Sequence, residues 1–111
     1  MFYNPFSPKG FAKGLANAQL KSFRAFQRKF PALSKEQLYV ESLSTRPGYT
    51  REEVLDIVQF AKTYITGSFN LQRVVLAVAD REYTRRVGHT PSQDISIQLV
   101  EGVVSVIPND L

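Results

Sequence analysis

The chain has 111 residues, with 14 lysines and arginines against 10 acids, one histidine, no cysteine and a net charge of +4 at neutral pH. That length fits one domain with a modest core, and the lack of cysteine excludes disulfides, thiolate metal sites and a cysteine nucleophile while suiting a cytoplasmic setting. The longest apolar runs, such as residues 74–79, fall far short of the roughly twenty residues needed to cross a bilayer, so no transmembrane segment is expected.

The charge is unevenly placed. Lys9, Lys13, Lys21, Arg24, Arg28, Lys29 and Lys35 all precede the first carboxylate, Glu36, whereas the rest of the chain carries the other seven bases and all ten acids. Such a separation points to an anion-seeking end on a near-neutral body.

Residues 1–8 read as an extended arm, because Pro5 and Pro8 each disfavour helix in the residue before them. The arm is aromatic, with Phe2, Tyr3 and Phe6. Residues 9–111 are expected to form a single helical domain. An acid-free segment rich in Lys, Arg and Ser is also how a transit peptide reads, but the prolines and dense phenylalanines favour a helix of the mature fold; no long apolar stretch follows the early bases as a secretory signal would require.

From Lys9 to Phe30 the pattern is helical. At about 100° per residue Phe11, Leu15, Phe23, Phe26 and Phe30 share one side, with Leu20 at its edge, and Lys13, Lys21, Arg24 and Arg28 gather on the other. Gly10 and Gly14 weaken the first turns, and Pro31 ends the helix.

A second helix opens at Ser34, whose hydroxyl suits the N–H of Gln37 while Gln37 reaches back, and runs to about Ser44. Thr45-Arg46-Pro47-Gly48 breaks it. Thr50 repeats the device onto Glu53, and Glu52, Glu53 and Asp56 sit where the helix dipole favours acids. Val54, Ile57, Val58, Ala61 and Ile65 mark the buried stripe of this third helix, which Thr66-Gly67-Ser68 stops near residue 66. A fourth helix runs from Asn70 to about Val87, with Leu71, Val74, Val75 and Val78 inward, Arg85 and Arg86 in the last turn, and Gly88 as its cap.

Two patterns compete over residues 90–107. Thr90-Pro91 reads as a cap with proline at the first helical position, and Ile95, Leu99, Val103 and Val106 keep helical spacing. Yet Ile95, Ile97 and Leu99 also alternate as a strand would, and a turn at Glu101-Gly102 would pair Leu99 with Val104 and Ile97 with Val106. Seven β-branched residues and Gly102 count against a helix; the cap counts for it. The predicted fold class is therefore mainly α, a small bundle of four helices plus a C-terminal segment that is either a β-hairpin (residues 95–107) or a fifth helix.

Gly48-Tyr49 ahead of a capped helix, with Asn70 opening another, is similar to the Gly-aromatic loop and three-helix order of ubiquitin-associated domains over residues 35–86. The middle helix is too long for that family, and no function is carried over from it.

Chemistry-bearing constellations are sparse. His89 is the only histidine and sits in a predicted turn. The acids at 52, 53 and 56 complement a helix dipole, and Asp80 and Glu82 fall among Arg73, Arg81, Arg85 and Arg86 as ion pairs on a helix face would. Neither the phosphate-loop spacing nor a nucleophile elbow is present. No catalysis, cofactor or metal is expected.

A helix-turn-helix reading of residues 34–66 meets a charge conflict, because the would-be recognition helix opens on acids that phosphates repel. The expected role is a protein-interaction or assembly component that docks on an acidic protein surface through Lys13, Lys21, Arg24 and Arg28, with Phe2, Tyr3 and Phe6 as anchors. The alternatives for the same face are sequence-independent nucleic-acid binding through phosphate contacts and adsorption on an anionic membrane surface.

Overall fold

A computed structural model describes residues 7–63 and 67–111. It is a compact bundle of five helices: α1 (Pro8–Lys29), α2 (Lys35–Ser44), α3 (Arg51–Ala61), α4 (Leu71–Val87) and α5 (Gln93–Val104), with no β-strand among the described residues. The aromatic arm residues Phe2, Tyr3 and Phe6 lie outside the described residues, as does Ile65 with the expected stop of α3 near residue 66.

Local chemistry sets the boundaries. Ser7 caps α1 by accepting from the Gly10 N–H at 3.0 Å, which places Pro8 at the first helical position rather than in an extended arm; there its missing N–H costs nothing and its fixed torsion suits the helix. Ser34 and Gln37 form the complete capping box over α2. Thr50 caps α3 through the Glu53 N–H at 3.1 Å, but the Glu53 carboxylate turns instead to Arg85 at 3.2 Å. Gly48 in the α2–α3 break and Gly88 closing α4 have φ of +89° and +85°, the left-handed region a side chain disfavours.

The contested C-terminal segment is a helix. Its cap is Ser92, accepting from the Ile95 N–H at 3.3 Å, so Thr90-Pro91 precedes the helix instead of opening it. Leu99, Val103 and Ile107 are fully or almost fully buried, whereas Ile97 and Val104 of the hypothetical hairpin face are about half exposed. Burial at helical spacing outweighs the small rotamer penalty of the β-branched residues, because each fully buried aliphatic side chain contributes roughly 1.5–3 kcal/mol.

Gly102 marks no turn. A Cβ there would sit 2.4 Å from the Lys9 carbonyl oxygen and 2.8 Å from the Ala12 Cβ, so the glycine is where α5 presses against the first turns of α1. α1 packs more extensively on α5 than on any other helix, and this contact rotates the buried side of α1 away from the expected row of phenylalanines. Gly10, Ala12, Ala16, Gln19 and Phe23 are buried; Phe11, Leu15, Leu20 and Phe26 pack at the core's edge, and Phe30 is 40% exposed. Small residues win the closest interface because only they let two helix backbones approach.

The core is one cluster into which Phe23, Leu38, Tyr39, Ile57, Val75 and Val103 reach from all five helices. α4 packs on α1, α3 and α5, α1 on α2, α4 and α5, and α3 chiefly on α2 and α4. Beyond α5, the chain returns to the start of α4: Gln72 Nε2 donates to the Ile107 carbonyl and Asn70 Nδ2 to the Asn109 carbonyl, both at 2.8 Å.

Candidate functional site

With Ala12, Ala16, Gln19 and Phe23 turned inward, helical spacing leaves Lys13, Lys21, Arg24 and Arg28 exposed on the outer face of α1. Lys21, Arg24 and Arg28 are three and four residues apart, so their side chains stand one above another. Together with Asn17 and Leu20 they line a shallow hollow. The structure thus brings the four predicted bases onto one exposed face; their predicted aromatic companions in the arm are outside the described residues.

Electrostatically this face is uncompensated at short range. Among the described residues the ion pairs lie on the other helices: Arg51 with Glu41, Lys62 with Glu36, Arg85 with Glu53 and Glu82, and Arg86 with Glu82. None reaches Lys13, Lys21, Arg24 or Arg28. Lys29 at the end of the helix lies 5.5 Å from the centre of the Phe30 ring, a cation–π contact within its own last turn.

A second polar region, missed in the sequence, fastens the α2–α3 loop. The Tyr49 hydroxyl donates to Glu82 Oε1 at 2.5 Å, and Arg46 Nη2 donates to the Ala18 carbonyl at 3.2 Å and to Ser22 Oγ at 2.9 Å. Burial, followed by the hydrogen bond and charge of Glu82, pushes the Tyr49 phenol far above its ordinary value, with Arg85 opposing. Burial likewise raises Tyr39, whose hydroxyl donates to Gln19 Oε1. Both phenols are therefore neutral donors. A small cleft lined by Gln19, Arg46, Tyr49, Glu82 and Arg86 lies at this seam, and each of these side chains already has a partner within the fold. The available signal was Glu82 itself, an acid placed three and four residues before Arg85 and Arg86.

The groups weighed for acid–base chemistry do not gather in one cleft. Glu52 and Asp56 are exposed on α3, Tyr49 faces Glu82 instead, and His89 is exposed with Nδ1 3.0 Å from the Thr90 carbonyl oxygen. Among the described residues no three His, Asp or Glu side chains stand where they could share a metal ion, and no helix is long and apolar enough to cross a membrane.

An apolar groove of about 360 Å³ opens where the end of α1 meets α2 and α3, lined by Phe26, Phe30, Leu33, Val40 and Leu55 and rimmed by Glu36, Glu41 and Arg51. Three β-branched residues of α5, Ile97, Val100 and Val104, also face solvent.

Comparison of the chain with protein-family models, curated proteins and solved structures returns no match.

Proposed function

We propose that this protein is a non-enzymatic interaction or assembly component, working in the cytoplasm, whose α1 outer face docks on an acidic protein surface. The observation that carries the reading is the exclusion of Lys13, Lys21, Arg24 and Arg28 from the ion pairs that knit α2, α3 and α4 together. Cations engaged by the fold's own carboxylates would have a structural role; these face water with their charge unspent. Leu20 in the hollow between them supplies apolar contact that a protein partner uses and a phosphate backbone does not. Phe11, Phe23 and Phe26 are packed at or in the core, and the exposed Phe30 lines the apolar groove beside α2 and α3, so the basic hollow itself has no aromatic ring in its lining on which a base could stack.

A zero-length carbodiimide, which joins an amine directly to a carboxylate, tests the reading in extracts of cells producing the intact protein. Lys13 and Lys21 are expected to couple to Asp or Glu of captured proteins, to do so after nuclease treatment, and to lose that coupling when Arg24 and Arg28 are replaced by glutamate. Absence of couplings through Lys13 and Lys21 overturns the proposal. Capture abolished by nuclease, with binding that weakens steeply in salt, assigns the face to nucleic acid instead.

A further inference from the structure

We propose that the acidic surface taken by α1 is the outer face of α3 on a second copy of this chain, so that copies join head to tail; this rests on the reading of α1 as an acid-seeking face. Glu52, Leu55 and Asp56 are exposed on α3, and neither acid belongs to an ion pair among the described residues. α3 packs chiefly on α2 and α4, and its inward side is Val54, Ile57, Val58 and Ala61. α3 meets α1 only along the groove shared by Phe26, Phe30 and Leu55, and within one molecule neither Glu52 nor Asp56 pairs with a cation of α1 among the described residues.

The faces match in spacing as well as in sign. Glu52 and Asp56 are separated by four residues, as are Arg24 and Arg28, so each pair repeats at about 6 Å along its helix. Leu55 lies between the two acids in sequence and is 46% exposed; Leu20 lies beside Lys21 and Arg24 in the basic hollow. Two helices laid against one another in this register put two carboxylates opposite two guanidinium groups, with Leu20 and Leu55 supplying apolar contact at the edges of the charged pairs. Arg guanidinium suits such pairs because it binds a carboxylate through two parallel hydrogen bonds.

Because the surfaces that meet are different patches, the contact is heterologous and extends into a chain or closes into a ring rather than ending at a twofold dimer. This gives a decisive experiment with the intact protein. Sedimentation velocity in about 20 mM salt is expected to show species larger than the monomer that grow with concentration and revert to monomer at about 300 mM salt, where exposed charges are screened. K21Q/R24Q/R28Q alone and E52Q/D56N alone are each expected to remain monomeric, with helix content by circular dichroism matching the unaltered protein. Their equimolar mixture retains one intact basic face and one intact acidic face and is expected to stop at a one-to-one dimer. A parent protein that stays monomeric in low salt overturns the second-copy assignment, and so does association that persists in E52Q/D56N. Either result leaves standing couplings of Lys13 and Lys21 to carboxylates of other proteins, so failure here is distinguishable from failure of the α1 reading.

Discussion

Gly102 is the residue on which the arrangement of α1 and α5 turns. Replacing it with alanine raises helix propensity by up to about 1 kcal/mol, but the added methyl meets the Lys9 carbonyl oxygen at 2.4 Å and the Lys13 nitrogen at 3.0 Å. Those atoms are backbone, so the two helices must move apart. The steric term wins, and G102A is expected to be destabilised by about 1–3 kcal/mol in chemical denaturation; an unchanged or raised unfolding free energy would show that the two helices do not approach this closely. In the sequence the same glycine reads as a turn or a helix-weakening residue, because a close approach is a property of two segments and only one is visible at a time. Tyr49 illustrates the same limit. Its place between two capped helices is legible; its hydrogen bond to Glu82, thirty-three residues away, is not.

At the scale of elements, what was legible is what is encoded locally. Ser34 and Thr50 cap α2 and α3 as their sequence pattern implies, Asn70 stands where α4 opens, one residue ahead of its first turn, and Gly88 closes α4. The C-terminal segment was ambiguous because alternation and helical spacing coincide at Ile95 and Leu99, and only burial against α1 and α4 separates them. Thr90-Pro91 is the cap that the sequence pattern offers and Ser92 the cap of the folded helix, and the two differ measurably. S92A is expected to cost about 1 kcal/mol, the usual penalty for losing a helix cap. T90A is expected to change stability by less than about 0.5 kcal/mol, as surface substitutions away from such features do. The reverse order would place the start of α5 two residues earlier. Hydrophobicity alone ranks phenylalanine above alanine, so the pattern places a row of phenylalanines on the buried side of α1, whereas the structure centres that side on Ala12, Ala16, Gln19 and Phe23. The tight contact with α5 selects Ala12 and Ala16 for the interior.

Across the whole molecule the account is one of charge segregation. The carboxylates of α2, α3 and α4 at positions 36, 41, 53 and 82 are engaged with bases that follow Glu36 in the chain, while the seven bases ahead of Glu36 form no ion pair among the described residues. The lopsided sequence therefore maps onto a lopsided surface, because six of these cations lie at positions that helical geometry turns outward on α1. If those cations serve contact rather than folding, their charge is dispensable to the fold. Measuring the unfolding free energy of K21Q/R24Q/R28Q by urea denaturation tests this most directly. The predicted result is a value within about 0.5 kcal/mol of the parent protein, or slightly above it as like charges on one helix face are relieved. A loss of more than about 1.5 kcal/mol would contradict the account, since it is more than uncompensated surface charges contribute.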